Sequence, residues 1–405
     1  MRLAVYVSHP IQYQAPLYRR LASEAGLELH VLFQDRSASK GYFDAEFGQV
    51  VEWDVPLLSG YASSEVRSRA TYLPARWRPI QRARSLLEAY GIDILWLHGY
   101  ASVSALQFLV EARKLGIGVV VRAEMWDVME YRSVTRRAKD MVLRRVFNRV
   151  DGFLAIGSAN ARYFADRSVA EARIYHVPYA VDNERFEREA VKSQGGRREM
   201  RSRLNIAEEA FVLVFVGKLI EKKRPEDLLA CLARLRLRGM EVYAVFVGSG
   251  HMLASLEREC DEQGISRFVR WTGFANQGEL ADYYAGADVL VLPSEFEPWG
   301  LVVNEALACG LPVVASDRVG SGVDLLGSGA GTVYPVGNID AMALAVARYV
   351  DPETRRWAAE RAREVIAAWG YEEDVVGIRA CMESLRQRRE DDSGTSRGRR
   401  RWKAS

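Results

Sequence analysis

Short apolar runs alternate with segments of helical periodicity along almost the whole chain. Runs that are apolar on both faces are typical of parallel strands covered by helices on both sides of a sheet. In the first half the predicted strands are 3–7, 27–32, 92–97, 118–122 and 152–156. After a polar stretch the pattern resumes, with strands predicted at 211–216, 242–247, 268–271, 289–292 and 312–315. The sequence therefore predicts an α/β fold with two doubly wound sheets.

The length of 405 residues also suits two domains, because one domain usually holds about 100–200 residues. We expect two Rossmann-like domains, over 1–186 and 210–370, that face each other across a cleft and are joined by a linker over 187–209. The segment 371–390 is predicted to be a helix that returns to the first domain. The final residues, 391–405, are rich in arginine, serine and glycine and are predicted to form a disordered basic tail.

Composition argues against several classes of protein. The formal net charge of +3 is small for this size and indicates no nucleic-acid partner. The four cysteines show no CxxC or CxxH spacing, which argues against a zinc site or a disulfide framework and fits a reducing compartment. The apolar run Leu3–Val7 is too short for a signal peptide, and no run of about 18 apolar residues follows. We expect a cytoplasmic protein, in solution or peripheral on the inner face of the membrane.

Polar residues and glycines gather where the predicted strands end. Ligands of open α/β sheets bind beyond the carboxyl ends of the strands, and glycines there let backbone N–H groups approach a phosphate. In the first domain these candidates are His9, Gln12, Tyr13, His98, Arg122 and Glu124. In the second domain they are Gly217, Lys218, Gly248, Gly273, Phe274 and Glu297. Loops also use glycine and charge for purely structural reasons, so each residue alone is weak evidence.

In the segment Pro293–Pro312 the sequence predicts the end of a strand, a loop, a helix that ends at a glycine, and a further strand. A helix that starts near Gly300 directs the N–H groups of Leu301 and Val302 and its positive dipole end at the crevice, which suits a diphosphate. Glu297 lies in the loop before this helix, and Glu305 lies about five residues into the helix, roughly 7 Å along its axis from the start. Carboxylates at both sides of a phosphate site suit sugar hydroxyls, because they accept hydrogen bonds.

Glu297 and Glu305 are separated by seven residues and resemble the E-x7-E signature of retaining glycosyltransferases of the GT-B fold, in particular glycosyltransferase family 4. The flanks agree, including Gly300-Leu301 and the run from Glu305 to Ala315. Further matches are Gly217-Lys218-Leu219 with Lys223, Gly248-Ser249-Gly250, Gly273-Phe274, and Pro178 to Asp182. The resemblance covers nearly the whole chain and is strongest between Gly217 and Val314.

The resemblance implies a transferase that uses a nucleoside-diphosphate sugar, with the acceptor held by the first domain. By this resemblance, Glu305 binds the ribose and Glu297 binds the donor sugar. The diphosphate is bound by Lys218, Lys223, Leu301 and Val302. Gly273-Phe274 contacts the nucleobase, and His98 acts near the donor sugar. The resemblance also implies that the acceptor is a glycan or a lipid-linked molecule and that the pathway is bacterial surface polysaccharide or glycolipid synthesis.

The chain departs from the family pattern at two places. Lys218 stands where the family usually has arginine, which keeps the charge but loses bidentate geometry. The usual glycine-rich turn after the first strand is replaced by residues 8–13. No Asp-x-Asp occurs, so we expect no metal on the diphosphate and no cofactor.

Other interpretations of these residues stay open. Lys223 lies between Lys222 and Arg224, so it is also explained as an ordinary cation on the surface. His98 and His9 are also compatible with purely structural roles. Gly248-Ser249-Gly250 lacks the third glycine of a dinucleotide motif, which disfavours an NAD enzyme. A sugar-nucleotide epimerase of the same fold and a non-catalytic polyanion-binding protein are the alternatives.

Two stretches of the first domain are strongly basic and contain apolar residues. They cover Val66–Arg84 and Arg132–Arg149, and their cations are Arg67, Arg69, Arg76, Arg78, Arg82, Arg84, Arg132, Arg136, Arg137, Lys139, Arg144, Arg145 and Arg149. A basic amphipathic helix is typical of a membrane-surface element. It is equally typical of a helix that packs on a core and exposes a charged face. The resemblance favours an anionic membrane surface as a partner.

Overall fold

The computed structural model describes residues 1–68, 73–127, 134–192 and 196–401. These residues form two compact units that do not follow the chain in simple halves. The first unit comprises Met1–Arg36, Leu58–Pro178 and Tyr371–Ser405, and the second comprises Ser37–Leu57 and Tyr179–Gly370. Arg69, Arg132 and Lys403, which belong to the predicted basic segments, lie outside the described residues.

The first unit is organised around a seven-stranded parallel sheet. Its strands are β1 (Arg2–Val7), β2 (Glu28–Phe33), β5 (Ala62–Glu65), β6 (Ile94–His98), β7 (Gly118–Arg122), β8 (Gly152–Ala155) and β9 (Ile174–His176). The order across the sheet is β5-β2-β1-β6-β7-β8-β9, and every neighbouring pair is parallel. The central strands are buried almost throughout, as their unbroken apolar runs predict.

Helices cover both faces of this sheet. They are α1 (Ala15–Ala22), α2 (Ala83–Ala89), α3 (Val103–Lys114), α4 (Val134–Phe147), α5 (Ser158–Ala165) and α15 (Tyr371–Arg401). Residues of α2, α3, α4 and α5 share one hydrophobic core, whereas α1 and α15 contribute to the core on the opposite face. The start of α3 is fixed by Ser102, whose side chain accepts a hydrogen bond from the N–H of Ala105.

The second unit has a six-stranded parallel sheet. Its strands are β10 (Phe211–Val216), β11 (Val242–Val247), β12 (Val269–Gly273), β13 (Val289–Leu292), β14 (Val313–Ser316) and β15 (Gly331–Tyr334), in the order β12-β11-β10-β13-β14-β15. A short antiparallel hairpin, β3 (Tyr42–Asp44) and β4 (Gln49–Val51), also belongs to this unit.

The helices of the second unit are α6 (Asn183–Lys192), α7 (Gly196–Arg203), α8 (Pro225–Leu237), α9 (Leu253–Glu262), α10 (Gln277–Gly286), α11 (Leu301–Ala308), α12 (Ser321–Leu325), α13 (Ile339–Ala347) and α14 (Pro352–Ile366). Helices α8, α9 and α13 pack through a common core. The capping box of Asn276 and Glu279 fixes the start of α10.

The predicted α/β class with two Rossmann-like sheets is confirmed, but three segments differ from expectation. Ser37–Leu57, predicted within the first domain, belongs to the second unit. Helices α6 and α7 occupy much of 187–209, where the sequence predicts a polar linker. Helix α15 continues to Arg401, through residues predicted to be disordered. Within the described ranges, no helix is long and apolar enough to cross a membrane.

Candidate active site

The sheet of the second unit changes direction between β10 and β13. From β10 the chain moves outward to β11 and β12, and then returns to place β13 on the other side of β10. Such a switch point leaves a crevice at the carboxyl ends of the two strands, where α/β proteins bind ligands. The loop after β10 carries Lys218 and Lys223, and the loop after β13 carries Glu297. The N–H of Glu295 donates to the carbonyl of Lys222 at 2.9 Å, which holds the two loops together.

The side chains of Lys223 and Glu297 are in direct contact at this point. The Oε1 atom of Glu297 contacts the ammonium of Lys223 and also accepts a hydrogen bond from Ser294 Oγ at 3.2 Å. The backbone of Glu297 is fixed to the segment after β14, because its N–H donates to the carbonyl of Arg318 at 2.9 Å. Desolvation and the ammonium groups of Lys222 and Lys218 lower the pKa of Lys223 to about 7. An anionic ligand would raise this pKa again, since an opposite charge favours the charged form.

Helix α11 begins next to this pair. Gly300 is its N-cap and adopts a φ of +91°, a left-handed conformation that favours glycine. The first turn holds no acidic residue, and Leu301 and Val302 are half-buried. The first N–H groups of a helix lack partners within it, so this end offers hydrogen bonds and positive potential to an anion. The structure thus brings the helix start, Lys223 and Glu297 to one edge of the sheet.

Glu305 has a different environment. Its side chain is fully buried, and its Oε2 atom accepts a hydrogen bond from the hydroxyl of Tyr284 at 2.5 Å. Tyr284 belongs to α10 and is itself buried. The predicted contact of Glu305 with a ribose therefore requires the side chains around it to move.

The glycines at the strand ends are needed for close packing of the loops. The N–H of Gly217 donates to the carbonyl of Val247 at 2.9 Å, and the N–H of Gly248 donates to the carbonyl of Gly273 at 2.7 Å. A Cβ atom on Gly248 would lie 1.9 Å from the carbonyl oxygen of Gly217. These two N–H groups are therefore used within the protein, which corrects the expectation that they approach a phosphate.

Lys218 and Phe274 are both covered by the segment Ser37–Leu57. Lys218 Nζ lies 3.0 Å from Asp44 Oδ2 and 2.6 Å from Glu46 Oε2. The ring of Phe47 lies edge-on to that of Phe274, with 5.2 Å between centroids. Sequence reasoning missed this segment, because it lies between two strands of the other sheet along the chain. The acidic and aromatic stretch between Gly41 and Gly48 is the local signal that it offers.

The first unit has its own switch point, between β1 and β6. His9 follows β1, and His98 is the last residue of β6. Desolvation and the nearby His98 lower the pKa of His9. Neighbouring β7 brings Glu124 close, with its Oε1 atom 3.4 Å from His98 Nε2. Gln14 Nε2 lies 3.2 Å from the same ring nitrogen, and Tyr18 donates to Gln14 Oε1 at 2.5 Å. The predicted residues His9, His98 and Glu124 therefore share one edge, and sequence reasoning missed Gln14.

Gln12 and Tyr13 lie in the turn that leads from β1 into α1. Both are half-buried, and the carbonyl of Tyr13 accepts a hydrogen bond from the hydroxyl of Tyr371 at 3.2 Å. The N–H of Gln14 donates to the carbonyl of Ile11 at 3.0 Å and closes the turn. This turn takes the place of the glycine-rich loop that the family pattern predicts.

Arg122 is a structural residue, contrary to the expectation that it faces a ligand. Its side chain is 1% exposed and pairs with Asp374 of α15 at 3.4 Å. It also donates to the carbonyl of Pro178 at 2.8 Å. Desolvation raises the pKa of Asp374 to about 7, although Arg122 opposes this shift. The pair therefore ties α15 to the end of β7.

Within the described ranges, no group of three or more His, Cys, Asp or Glu side chains is arranged to hold a metal ion. The second unit's switch point brings together two lysines, a carboxylate and a helix N-terminus. This combination suits a ligand that carries both phosphate and hydroxyl groups.

Comparison with known proteins decides the family. Residues 10–180 match the model described as glycosyl transferase 4-like domain, and residues 196–365 match glycosyl transferases group 1. The chain belongs to the group 1 glycosyltransferases. The second match includes Lys218, Lys223, Glu297 and α11, so the switch point described above lies within the family's own domain.

Individual relatives agree with this assignment. The glycosyltransferase is 29% identical over 300 residues to a GDP-mannose-dependent α-(1-6)-phosphatidylinositol monomannoside mannosyltransferase of Mycolicibacterium smegmatis, covering 71% of this chain and 74% of the relative. It is 36% identical over 190 residues to a D-inositol 3-phosphate glycosyltransferase of Geodermatophilus obscurus, covering 44% of this chain and 41% of the relative. Its fold is similar to that of Anabaena HepE in complex with UDP-glucose, with a TM-score of 0.69 and 15% identity over 96% of this chain and all of HepE.

Proposed function

We propose that this glycosyltransferase transfers a sugar from a nucleoside-diphosphate sugar to a lipid-linked or glycan acceptor, with retention of anomeric configuration and without a metal. The observation that carries the proposal is the convergence of Lys218, Lys223 and the start of α11 at the switch point of the second unit. These groups supply positive charge and N–H donors where a diphosphate leaves. In this proposal Glu297, which contacts Lys223, accepts hydrogen bonds from the sugar hydroxyls.

Charge stabilisation is the main contribution of the protein in this mechanism. As the bond to the sugar breaks, negative charge develops on the departing diphosphate, and preorganised donors stabilise it without reorganisation. The departing phosphate oxygen takes the proton of the acceptor hydroxyl as the new glycosidic bond forms on the same face. No side-chain base is then required. In this proposal Phe274 contacts the nucleobase, and binding of the ribose requires Glu305 to become accessible.

An inositol phospholipid glycoside is the first acceptor class that we propose. The mycobacterial relative is named for transfer to phosphatidylinositol monomannoside, and the relative from Geodermatophilus for transfer to an inositol phosphate. The two names share an inositol phosphate group as acceptor chemistry. The corresponding role for this enzyme is the synthesis of a bacterial glycolipid or surface polysaccharide on the cytoplasmic side.

Exposed apolar residues on two helices of the first unit support a membrane-bound acceptor. Helix α3 exposes Leu106 and Val110, and helix α4 exposes Met141 and Val142. Arg144 and Arg145, also on α4, are exposed beside these apolar residues. Apolar side chains insert at the lipid boundary, and each nearby cation adds about 1 kcal/mol of attraction to anionic lipid.

A vesicle sedimentation assay tests this surface. We expect the wild type to bind vesicles with phosphatidylserine more strongly than neutral vesicles, and Arg144→Glu/Arg145→Glu to lose that preference. The matched control is Arg258→Glu/Arg356→Glu, which makes the same charge change at exposed positions of the second unit. Equal binding to neutral and anionic vesicles by the wild type would exclude an anionic membrane surface as the partner.

A product assay tests the proposed reaction. The enzyme is incubated with UDP-, GDP- and ADP-sugars and phosphatidylinositol glycosides, with EDTA present, and products are identified by mass spectrometry and by NMR of the new anomeric centre. We expect one donor to give a glycosylated lipid with the anomeric configuration of that donor. Lys218→Ala should lower its rate about 10²-fold or more, by analogy with the loss of an oxyanion donor. Inversion would overturn the mechanism, and a modified sugar nucleotide without an acceptor product would indicate an epimerase.

A further inference from the structure

The segment Ser37–Leu57 belongs by contacts to the second unit, although it lies along the chain between β2 and β5 of the first sheet. Its hairpin, β3 and β4, has strands of three residues each. A hairpin this short is only marginally stable by itself, so its stability must come from contacts with the rest of the second unit. The positions of these contacts are informative, because they fall on residues predicted to bind the donor.

Two carboxylates of the hairpin surround the ammonium of Lys218. Asp44 Oδ2 and Oδ1 lie 3.0 and 3.2 Å from Nζ, and Glu46 Oε2 lies 2.6 Å from it. An ammonium has three N–H donors, so these oxygens can accept all of them. Although desolvation acts to lower the pKa of Lys218, hydrogen bonds to Glu46 and Asp44 raise it above its ordinary value. The lysine is therefore held in its charged form by anionic groups of its own chain.

The backbone shape of the turn presents both acids to Lys218. The N–H groups of Glu46 and Phe47 donate to Asp44 Oδ1 at 2.9 and 3.1 Å. These bonds fix the turn on the Asp44 side chain, and the ring of Phe47 lies 4.8 Å from the Lys218 ammonium. The arrangement offers two negative groups, with one residue between them in the chain, to a single cation, as the two phosphates of a nucleoside diphosphate would.

The same segment covers the aromatic residue predicted to lie beside the nucleobase. Phe47 and Trp53 both meet Phe274 edge-on, at centroid distances of 5.2 and 5.8 Å. Ser249 Oγ donates to the carbonyl of Phe47 at 2.9 Å, and the N–H of Gly278 donates to Asp54 Oδ2 at 2.7 Å. The acids thus lie on the predicted diphosphate position and the aromatic residues on the predicted base position.

We propose that Asp44 and Glu46 occupy the place of the donor diphosphate on Lys218 in the donor-free enzyme, so that donor binding displaces the hairpin. The inference rests on the proposed function, because that function makes Lys218 a phosphate ligand. The two acids compete with the donor for one ammonium, and they thereby set the affinity for the donor. Their removal should tighten donor binding, whereas removal of ordinary binding residues weakens it.

Titration calorimetry of nucleoside diphosphates tests the inference. The probes are UDP, GDP and ADP, and the proteins are the wild type, Asp44→Asn/Glu46→Gln, and the control Glu52→Gln, which removes an exposed charge from the same segment. We expect the double variant to bind the preferred diphosphate about three- to tenfold more tightly, a change of roughly 0.7–1.4 kcal/mol. Glu52→Gln should match the wild type.

The outcomes separate the inference from the proposed function. If the wild type binds a diphosphate and the double variant binds it equally or more weakly, the inference is wrong and the proposed function stands. If neither protein binds any diphosphate, the proposed function fails and the inference falls with it.

Hydrogen exchange on the wild type gives a second measurement that needs no variant. Amides of residues 41–54 should exchange faster when the diphosphate is bound, because the hairpin leaves Lys218. Slower exchange in this segment on binding would show instead that the hairpin closes over the ligand, and would overturn the inference.

Discussion

Lys222 and Lys223 are adjacent in the chain but have different surroundings. Lys222 is exposed and lies over the ring of Phe296 at 5.2 Å. Lys223 is held against Glu297, with only 22% of its side chain exposed. A bound anion gains more from a partly desolvated cation than from one in water, because the local dielectric is lower. The difference makes Lys222 a natural control for any test of Lys223.

Lys223 also predicts a dependence of donor binding on protonation. Desolvation and the neighbouring Lys222 and Lys218 lower its pKa to about 7, so the free enzyme holds part of it neutral above that pH. A diphosphate raises the pKa again, and the protein therefore takes up a proton on binding at pH 8. Calorimetry at pH 8 in two buffers of different ionisation enthalpy measures this uptake. We expect it in the wild type and not in Lys223→Arg; equal apparent enthalpies in both buffers would refute it.

At the scale of single residues, the sequence predicted the location of those site residues that belong to a local motif. Lys218 and Glu297 follow neighbouring strands, and the strand-end rule places them together before any contact is known, whereas Lys223 was predicted from the family motif. It did not predict the burial of Glu305 or of Arg122, because burial depends on which helices cover them. Arg122 is enclosed by α15, which lies some 250 residues further along the chain.

Among the elements, α15 shows how a distant helix completes the first sheet. Val375, Ile378, Cys381, Met382 and Leu385 are buried in the core on the face shared with α1. Gly377 allows the helix to lie close to β9, because a Cβ atom there would be 2.0 Å from the carbonyl oxygen of His176. A glycine inside a helix is otherwise unfavourable, so this close approach explains its presence.

Two substitutions on α15 test its part in the core. Ile378→Ala removes a side chain that is 2% exposed and should lower the free energy of unfolding by about 2–5 kcal/mol. Val376→Ala, two residues away at a position 67% exposed, should change it by less than about 0.5 kcal/mol. Urea denaturation followed by circular dichroism gives both values. Equal effects would mean that the helix does not pack as described.

Elements with a strong apolar run were predicted, and weak ones were missed. The buried strands β1, β6, β10 and β13 match their predicted positions within a residue or two. Strand β5, with the sequence Ala-Ser-Ser-Glu, has no apolar periodicity, and its pairing with β2 alone makes it a strand. The sequence predicts a linker over much of α6 and α7, because the residues of these helices are mostly charged.

At the scale of the whole molecule, the four cysteines serve as probes of packing in the two units. All four are free and buried, with Cys381 in the first unit and Cys231, Cys260 and Cys309 in the second. Burial raises the pKa of Cys231, Cys260 and Cys381 to about 12 and also raises that of Cys309. Thiolates are the reactive form, so the native protein should react slowly with Ellman's reagent at pH 8.

The count of reactive thiols should rise from near zero to four when the protein is unfolded in guanidinium chloride. Spectrophotometric titration before and after unfolding measures it. Rapid reaction of one thiol in the native protein would locate an opening in the corresponding core, and would contradict the packing described for that unit.

The account depends most on the claim that a nucleoside diphosphate binds at the switch point of the second unit, against Lys223 and the start of α11. The most direct measurement is titration calorimetry of UDP, GDP and ADP with the wild type, Lys223→Ala and Lys222→Ala. We expect at least one diphosphate to bind the wild type and Lys222→Ala alike, and to bind Lys223→Ala about tenfold or more weakly, which corresponds to roughly 1.4 kcal/mol. Binding of no diphosphate by the wild type, or equal binding by Lys223→Ala, would contradict the account.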